Sequence, residues 1–597
     1  MRFRNLLAVI LMLGMLCPQV SAEVFPLDQV RPGMRGVGRT VVQGTQIEEF
    51  QMEIITVIPQ APPTPPLVMI KVSGDVIDRS GGIASGMSGS PVYIDNKLLG
   101  AIGYGYAFTD HRVGLVTPAD WMLNLLKDLP TEKSGIQPNL PDGAEALKTP
   151  LMIGGMYDRA FTYLRSELAR LGLQVMSNVT GQVTRMEGSP LQPGSAFGVQ
   201  LLRGDFQAVA FGTVTYVKDD AFTGFGHPFL HRGDVNYFVT PAIIHYTMPS
   251  MEFPFKIASA GDTIGTLYQD RAAGVAGVLG HTPSYLPINI QVEDRTRNTV
   301  ATYQVETVMD EKLILPLVVS SVYQAIDATL DRIGNGTAFV QSEFLAANLP
   351  TAIVRDNMFY SDSDIAVWAL YDLIEALELL MFNKLQKVEL TEVSTKIIIE
   401  EKRKTASIEK AIPRDFQVAA KDSVEVEVAI RPYRGEVEYR ILRIDIPEDT
   451  LPGLMTITVR GGGSGYYSVK PTVHTTWQSM DQDSEDYIRH IPSGGESLDK
   501  LLDRFMQRER NNEIVAEFYP FINSFSSADD TENSYSETSY NESESLTPLM
   551  ESEIDDGESD RYQYRWDDRN NEPIRVRLTT QYVIEGVATF DVEVIAP

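Results

Sequence analysis

Short apolar runs, many alternating with polar residues and cut by Gly and Pro, dominate most of this chain. Val41–Val42, Phe50–Val57 and Leu67–Val72 read as strands, with Pro59–Pro66 among the breaks between them. Period-two alternation between turn residues is the mark of a half-buried strand. A Gly/Ser-rich interruption follows within Gly81–Tyr104, and then Val113–Val116. Thr117-Pro118-Ala119-Asp120 predicts a helix start, with a hydroxyl cap, proline in the first position and an acid behind it. Leu129–Pro150 is polar with Pro and Gly, so a linker is expected. Met156–Leu171 has helical spacing and stops at Gly172.

A second strand-rich stretch runs over about Gln174–Val308, with Phe206–Val217 alternating. Both stretches carry a Pro-Gly with Gly-Val shortly after it, at Pro32–Val37 and Pro193–Val199. This fits two related β modules, or a turn preference common to both. Pro316–Ile333 reads as a helix closed by Gly334-Asn335-Gly336. Ile365–Leu385 is amphipathic, and Asp372, Glu375 and Glu378 argue against a membrane span there. From Leu390 the pattern returns to strands: Val424–Ile430, Arg440–Ile446 and Leu454–Val459 fit a sandwich of immunoglobulin-like size. Ser497–Met506 predicts a short helix with Leu498, Leu501, Leu502 and Phe505 on one face. Arg575–Ile595 alternates again.

Length and composition sharpen this outline. A chain of 597 residues exceeds a single core, and 43% hydrophobic residues are enough to fold it. Arg2 and Arg4, the apolar Leu6–Leu16 and the small residues Val20-Ser21-Ala22 read as a cleavable secretory leader. Cys17 is the only cysteine, so the chain after cleavage has no disulfide, catalytic thiol or thiolate metal site. The net charge is −29, or −31 without the two leader arginines, which disfavours nucleic acid and anionic lipid as partners. Much of it is local: Ser524–Asp560 holds twelve acidic residues and no basic ones, and reads as a disordered insertion.

The candidate chemistry sits in the Gly/Ser interruption. Ser85-Gly86-Met87-Ser88-Gly89-Ser90-Pro91 places glycines where a backbone must approach a substrate and aim N–H groups at one point. The same run also reads as a flexible hairpin loop. A serine needs a base. His227, between Gly226 and Pro228 at the end of an alternating strand, is the histidine in the stiffest local setting. His111 lies in a loop expected to be exposed. His231 and His245 show no metal-ligand spacing, and His281, His474 and His490 have no supporting pattern.

Gly81-Gly82-Ile83 with Gly86-Met87-Ser88-Gly89-Ser90-Pro91, then Leu98 and Gly100-Ala101, resembles the serine motif of the stage IV sporulation protein B peptidase family. Phe225-Gly226-His227 after Gly212-Thr213-Val214-Thr215 resembles its histidine element, with further matches at Pro193-Gly194 and Gly261–Gly280. The resemblance covers about Phe25–Ile290. It implies a serine endopeptidase with a trypsin-like arrangement: Ser88 as nucleophile, His227 as general base, and the N–H groups of Gly86 and Ser88 as the oxyanion hole. The order is exchanged, since the family's histidine segment precedes its serine. Direct counting places Ser73 where the family has its aspartate, which leaves Asp75, or Asp78, as the third residue. No separate PDZ domain is evident.

The expected fold is therefore mainly β with some helices: two chymotrypsin-like β-barrel modules, then helices and a C-terminal immunoglobulin-like β-sandwich. The expected divisions are a signal peptide over 1–22, a serine-bearing module over 23–129, a linker and helix over 130–173 and a histidine-bearing module over 174–310. A helical segment over 311–389, the sandwich over 390–475, a linker and short helix over 476–523, the acidic insertion over 524–570 and terminal strands over 571–597 complete the chain. The expected function is a secreted endopeptidase acting on envelope or extracellular protein, itself included. It would work in the periplasm or at the cell surface of a bacterium, without metal or other cofactor. Its partners would be a protein or peptide substrate and a cell-envelope protein, with no nucleic acid and no membrane span after cleavage. The alternative is an inactive envelope scaffold or binding protein with a peptidase-like fold.

Overall fold

The computed structural model describes residues 23–60, 66–129, 145–147, 150–178, 190–465, 497–520 and 573–595. The leader with Cys17, most of the linker expected after Leu129, His474, His490 and the acidic stretch lie outside them. The chain forms two compact units, residues 1–402 with 471–508, and 403–470 with 509–597.

The first unit contains two antiparallel rings. In the first, Arg35–Thr40, Glu48–Ile58, Leu67–Ser73, Pro91–Ile94, Lys97–Gly105 and Val113–Pro118 pair in the order one-two-three-six-five-four, and the fourth strand returns to the first. Glu48–Ile58 shows why the sequence folds this way: Phe50, Met52 and Ile54 face inward, with polar residues between them. The second ring is built from Ala196–Gly204, Gln207–Lys218, Ala221–Gly224, Gly233–Met248, Gly265–Arg271 and Gly274–Leu279. It closes in the same one-two-three-six-five-four order. Identical ring order in two successive modules exceeds what a common turn preference produces.

The rings bury apolar side chains against each other. Val41 shares a cluster with Phe211, Ile244 and Ala258; Met122 shares one with Ala273 and Ala276; Tyr93 shares one with Tyr216.

Beyond the second ring the sheet continues through Thr299–Val308 and Tyr285–Asp294 to Leu390–Glu400, Gly336–Ala346 and Ile353–Ser361. Two strands thus lie inside the expected helical segment. Leu390–Glu400, expected to open the sandwich, belongs to this sheet, running parallel to Tyr285–Asp294. The helix expected from Pro316 begins earlier, at Glu311, and ends at Leu330. The Asp310 side chain caps it by accepting from the Lys312 N–H at 3.0 Å, so the proline falls inside rather than at the start. This helix is long and apolar enough to cross a membrane, and 83% of its most apolar window is buried inside the fold. Its residues join the core of the extended sheet.

The second unit has two sheets over one core. Glu438–Asp445, Ser423–Pro432, Thr405–Pro413 and Val583–Glu585 form one; Gln417–Ala419, Val587–Ile595, Gly453–Gly461, Glu513–Phe518 and Ile574–Thr579 form the other. Val424, Val426 and Val428 of the first meet Met455, Ile457 and Val459 of the second in that core.

Candidate active site

Ser88 and His227 fall in the same connection of their respective rings, between the third and fourth strands. The structure brings the two connections together. Thr213 N–H donates to Ser88 O at 2.8 Å. Thr213 Oγ1 donates to Gly86 O at 3.0 Å and Thr215 Oγ1 to Gly89 O at 2.7 Å. In return, Thr117 Oγ1 of the first ring donates to Gly226 O at 2.6 Å. Thr117 therefore does not cap the helix Ala119–Asn124, which has no side-chain cap bond. Contact between the rings needs glycine at Gly89, where φ is +90° and a Cβ would lie 2.0 Å from Thr213 O and 2.4 Å from Phe225 N.

Within the serine loop, Met87 N–H donates to Ala84 O, Gly89 N–H to Ile102 O and Ser90 N–H to Met87 O, at 2.8, 2.8 and 2.9 Å. Among the described residues the N–H groups of Gly86 and Ser88 make no such backbone bond. They are the pair expected to form the oxyanion hole. Ser88 is fully buried, and its Oγ has no hydrogen-bond partner among the described residues; the same holds for Ser90 Oγ. A buried hydroxyl left unpaired calls for a reason, because it has lost its water without replacement.

His227 is 2% exposed. Its Nδ1 lies 2.7 Å from Pro228 O. A carbonyl only accepts, so Nδ1 carries the hydrogen and Nε2 presents the lone pair. Burial pushes the imidazole pKa down to about 4. The ring stacks on Phe225, centroids 5.8 Å apart. Phe225 itself sits at φ 66°, a left-handed conformation that costs a bulky residue about 1–3 kcal/mol and is kept where surrounding structure demands it. The Asp270 carboxylate fixes the following turn, accepting N–H bonds from Phe229 and Leu230 at 2.7 Å and from Arg232 at 3.3 Å. Burial raises its pKa and those bonds oppose the rise.

Asp75 is placed elsewhere. It opens the helix Asp75–Ser80 on the surface, its side chain 83% exposed and paired with Arg79 at 2.8 Å. Asp78 pairs with Arg112 at 2.7 Å, also exposed. Both carboxylates are thus engaged at the surface while the imidazole is buried, its Nδ1 on the Pro228 carbonyl. His111 is half-buried, its Nε2 3.1 Å from Met251 O. His245 Nε2 meets Ser259 Oγ at 2.8 Å, and His281 Nδ1 meets Tyr268 OH at 3.2 Å. Among the described residues no group of three or more His, Cys, Asp or Glu is placed to hold a metal ion.

Sequence reasoning missed Asp270 and Lys256, and it named Thr117, Thr213 and Thr215 without their contacts to the facing loop. Lys256, on the strand Phe255–Ala260, is 2% exposed, with Nζ 2.9 Å from Gly86 O and 3.1 Å from Thr40 Oγ1. Burial lowers its pKa to about 7. A signal was present for Thr213 and Thr215, which alternate on an apolar strand. Nothing in the sequence marked the lysine.

Fold and site define a mainly β protein in which the connection carrying Ser88 packs against one antiparallel ring and the connection carrying His227 against the other. Residues 18–123 match the family model described as SpoIVB peptidase S55. The match supports a SpoIVB-like serine peptidase at the level of the family, and so a protein substrate. It spans Ser88 and ends before Thr213, His227 and Lys256. No curated protein and no solved structure matches the chain significantly.

Proposed function

We propose that this protein is a secreted serine endopeptidase working between its two rings. Ser88 Oγ attacks the scissile carbonyl while His227 Nε2 takes its proton. The Gly86 and Ser88 N–H groups receive the oxygen as it becomes negative. The acyl group is then on Ser88, and the imidazolium returns the proton to the leaving amine. Water, activated by the same nitrogen, releases the acid. The carrying observation is that the two equivalent connections meet, one with an unpartnered buried serine and the other with an oriented, neutral imidazole.

The common ring order supports the chymotrypsin-like reading of the modules, and the two-sheet core of the second unit supports the immunoglobulin-like one. The leader read in residues 1–22 supports export, with envelope or extracellular protein, this chain included, as substrate. Asp75 receives no support as the third residue.

One observation favours an inactive scaffold as the second reading: both site residues are buried and Ser88 Oγ makes no bond to His227. A peptidase of this form must open to admit a chain. Fluorophosphonate labelling separates the readings. Wild type labels, while Ser88→Ala and His227→Ala do not, if the peptidase reading holds; a folded wild type that stays unlabelled after prolonged exposure sinks it.

A further inference from the structure

Lys256 holds the serine loop through both its backbone and its side chain. Lys256 N–H donates to Ser85 O at 3.1 Å, and Lys256 Nζ donates to Gly86 O at 2.9 Å. In a trans peptide the N–H points away from the preceding carbonyl. Fixing Ser85 O on Lys256 therefore turns the Gly86 N–H to the opposite side. Fixing Gly86 O turns the Met87 N–H onto Ala84 O, where it is found at 2.8 Å.

We propose that Lys256 is a positioning residue for the reaction: its side chain holds the Gly86 carbonyl so that the Gly86 and Ser88 N–H groups stay converged on the developing oxyanion. The inference rests on the peptidase reading and deepens it.

Three observations support it. Lys256 is buried, yet no carboxylate pairs with it among the described residues. Burying an ammonium without a counter-ion is costly, so stability does not account for a lysine here, where Met would fill the same space. Its acceptors are the serine loop itself and Thr40 Oγ1 at the end of the first strand of the same ring. Finally, Gly86 O takes a second donor, Thr213 Oγ1, at 3.0 Å. A carbonyl with two side-chain donors, one from Gln207–Lys218 of the other ring and one from Phe255–Ala260, which pairs with that ring's fourth strand, is a fixed point rather than part of a mobile loop.

The test is the inactivation of the full-length protein by a fluorophosphonate, with the maximal rate (kinact) and the half-saturating concentration (KI) separated. Lys256→Met is expected to keep the fold, leave KI unchanged and lower kinact by about 10–100-fold, less than direct loss of an oxyanion donor. Lys256→Gln, which restores an N–H donor, is expected to recover part of that loss. A merely structural lysine would move the melting temperature and leave kinact alone. Wild-type kinact in a folded, Ser88-labelled Lys256→Met overturns the proposal and leaves the peptidase reading standing, whereas a wild type that never labels overturns both. Should Lys256→Met fail to fold, Thr40→Val decides. It removes the acceptor that aims the ammonium, and a folded Thr40→Val is expected to lose about 3-fold in kinact; no loss overturns the proposal.

Discussion

Ser88 and His227 are both buried, and burial sets the properties of each side chain. The imidazole sits near pKa 4 because burial penalises its charged form. The native state thus binds fewer protons than the unfolded chain between pH 4 and the ordinary 6.5. This contribution to stability is complete above pH 6.5 and is lost as pH falls through 4. Denaturant unfolding is expected to lose up to about 3 kcal/mol from this source between pH 7 and 4, and His227→Gln to lose correspondingly less. The labelling rate should likewise hold down to about pH 5, with no break at 6.5. Ser88→Ala is expected to abolish labelling while leaving stability unchanged or raised by about 1 kcal/mol, because the hydroxyl it removes is buried with no partner among the described residues. A fall in melting temperature in Ser88→Ala would mean that the hydroxyl is structural.

At the scale of elements, the close approach at Gly89 makes a sharp contrast with Gly172. Gly89→Ala drives a methyl into the Thr213 carbonyl and is expected to cost on the order of 3 kcal/mol. Gly172→Ala, at φ +80° with nothing within 4 Å, costs about 1 kcal/mol for the backbone alone. Thermal unfolding of the two variants measures the difference. What was legible in the sequence follows the same division between local and distant causes. Phe50–Val57 and Val424–Ile430 were readable as strands because alternation is a local property, and both lie within observed strands. The start of the helix Glu311–Leu330 was misread because Pro316 is a good first residue, while the operative cap was Asp310. Thr117 was misread for a different reason. Its hydroxyl had a local use as a cap and a distant one on Gly226, and the contact between rings decided. Ser88 and His227 could be singled out from glycine-rich settings. The bond between His227 Nδ1 and the Pro228 carbonyl could not, because which group reaches a ring nitrogen depends on the fold of the turn.

The whole molecule divides into units with separate cores, so calorimetry is expected to resolve two transitions. The smaller should persist in variants such as Gly89→Ala that weaken the rings; one merged transition shifting as a whole would contradict independent cores. Both rings and the candidate site belong to the first unit. The exchanged order of serine and histidine has a consequence in time. Among the described residues, the carbonyls of Gly86, Ser88 and Gly89 find their side-chain and backbone donors at Thr213, Thr215 and Lys256. As the chain is made from its N-terminus, Ser88 emerges well over a hundred residues before His227 and the loop's supports. A growing chain therefore carries Ser88 in a loop whose supports are not yet made, and on the peptidase reading proposed above its chemistry waits for completion of the second ring.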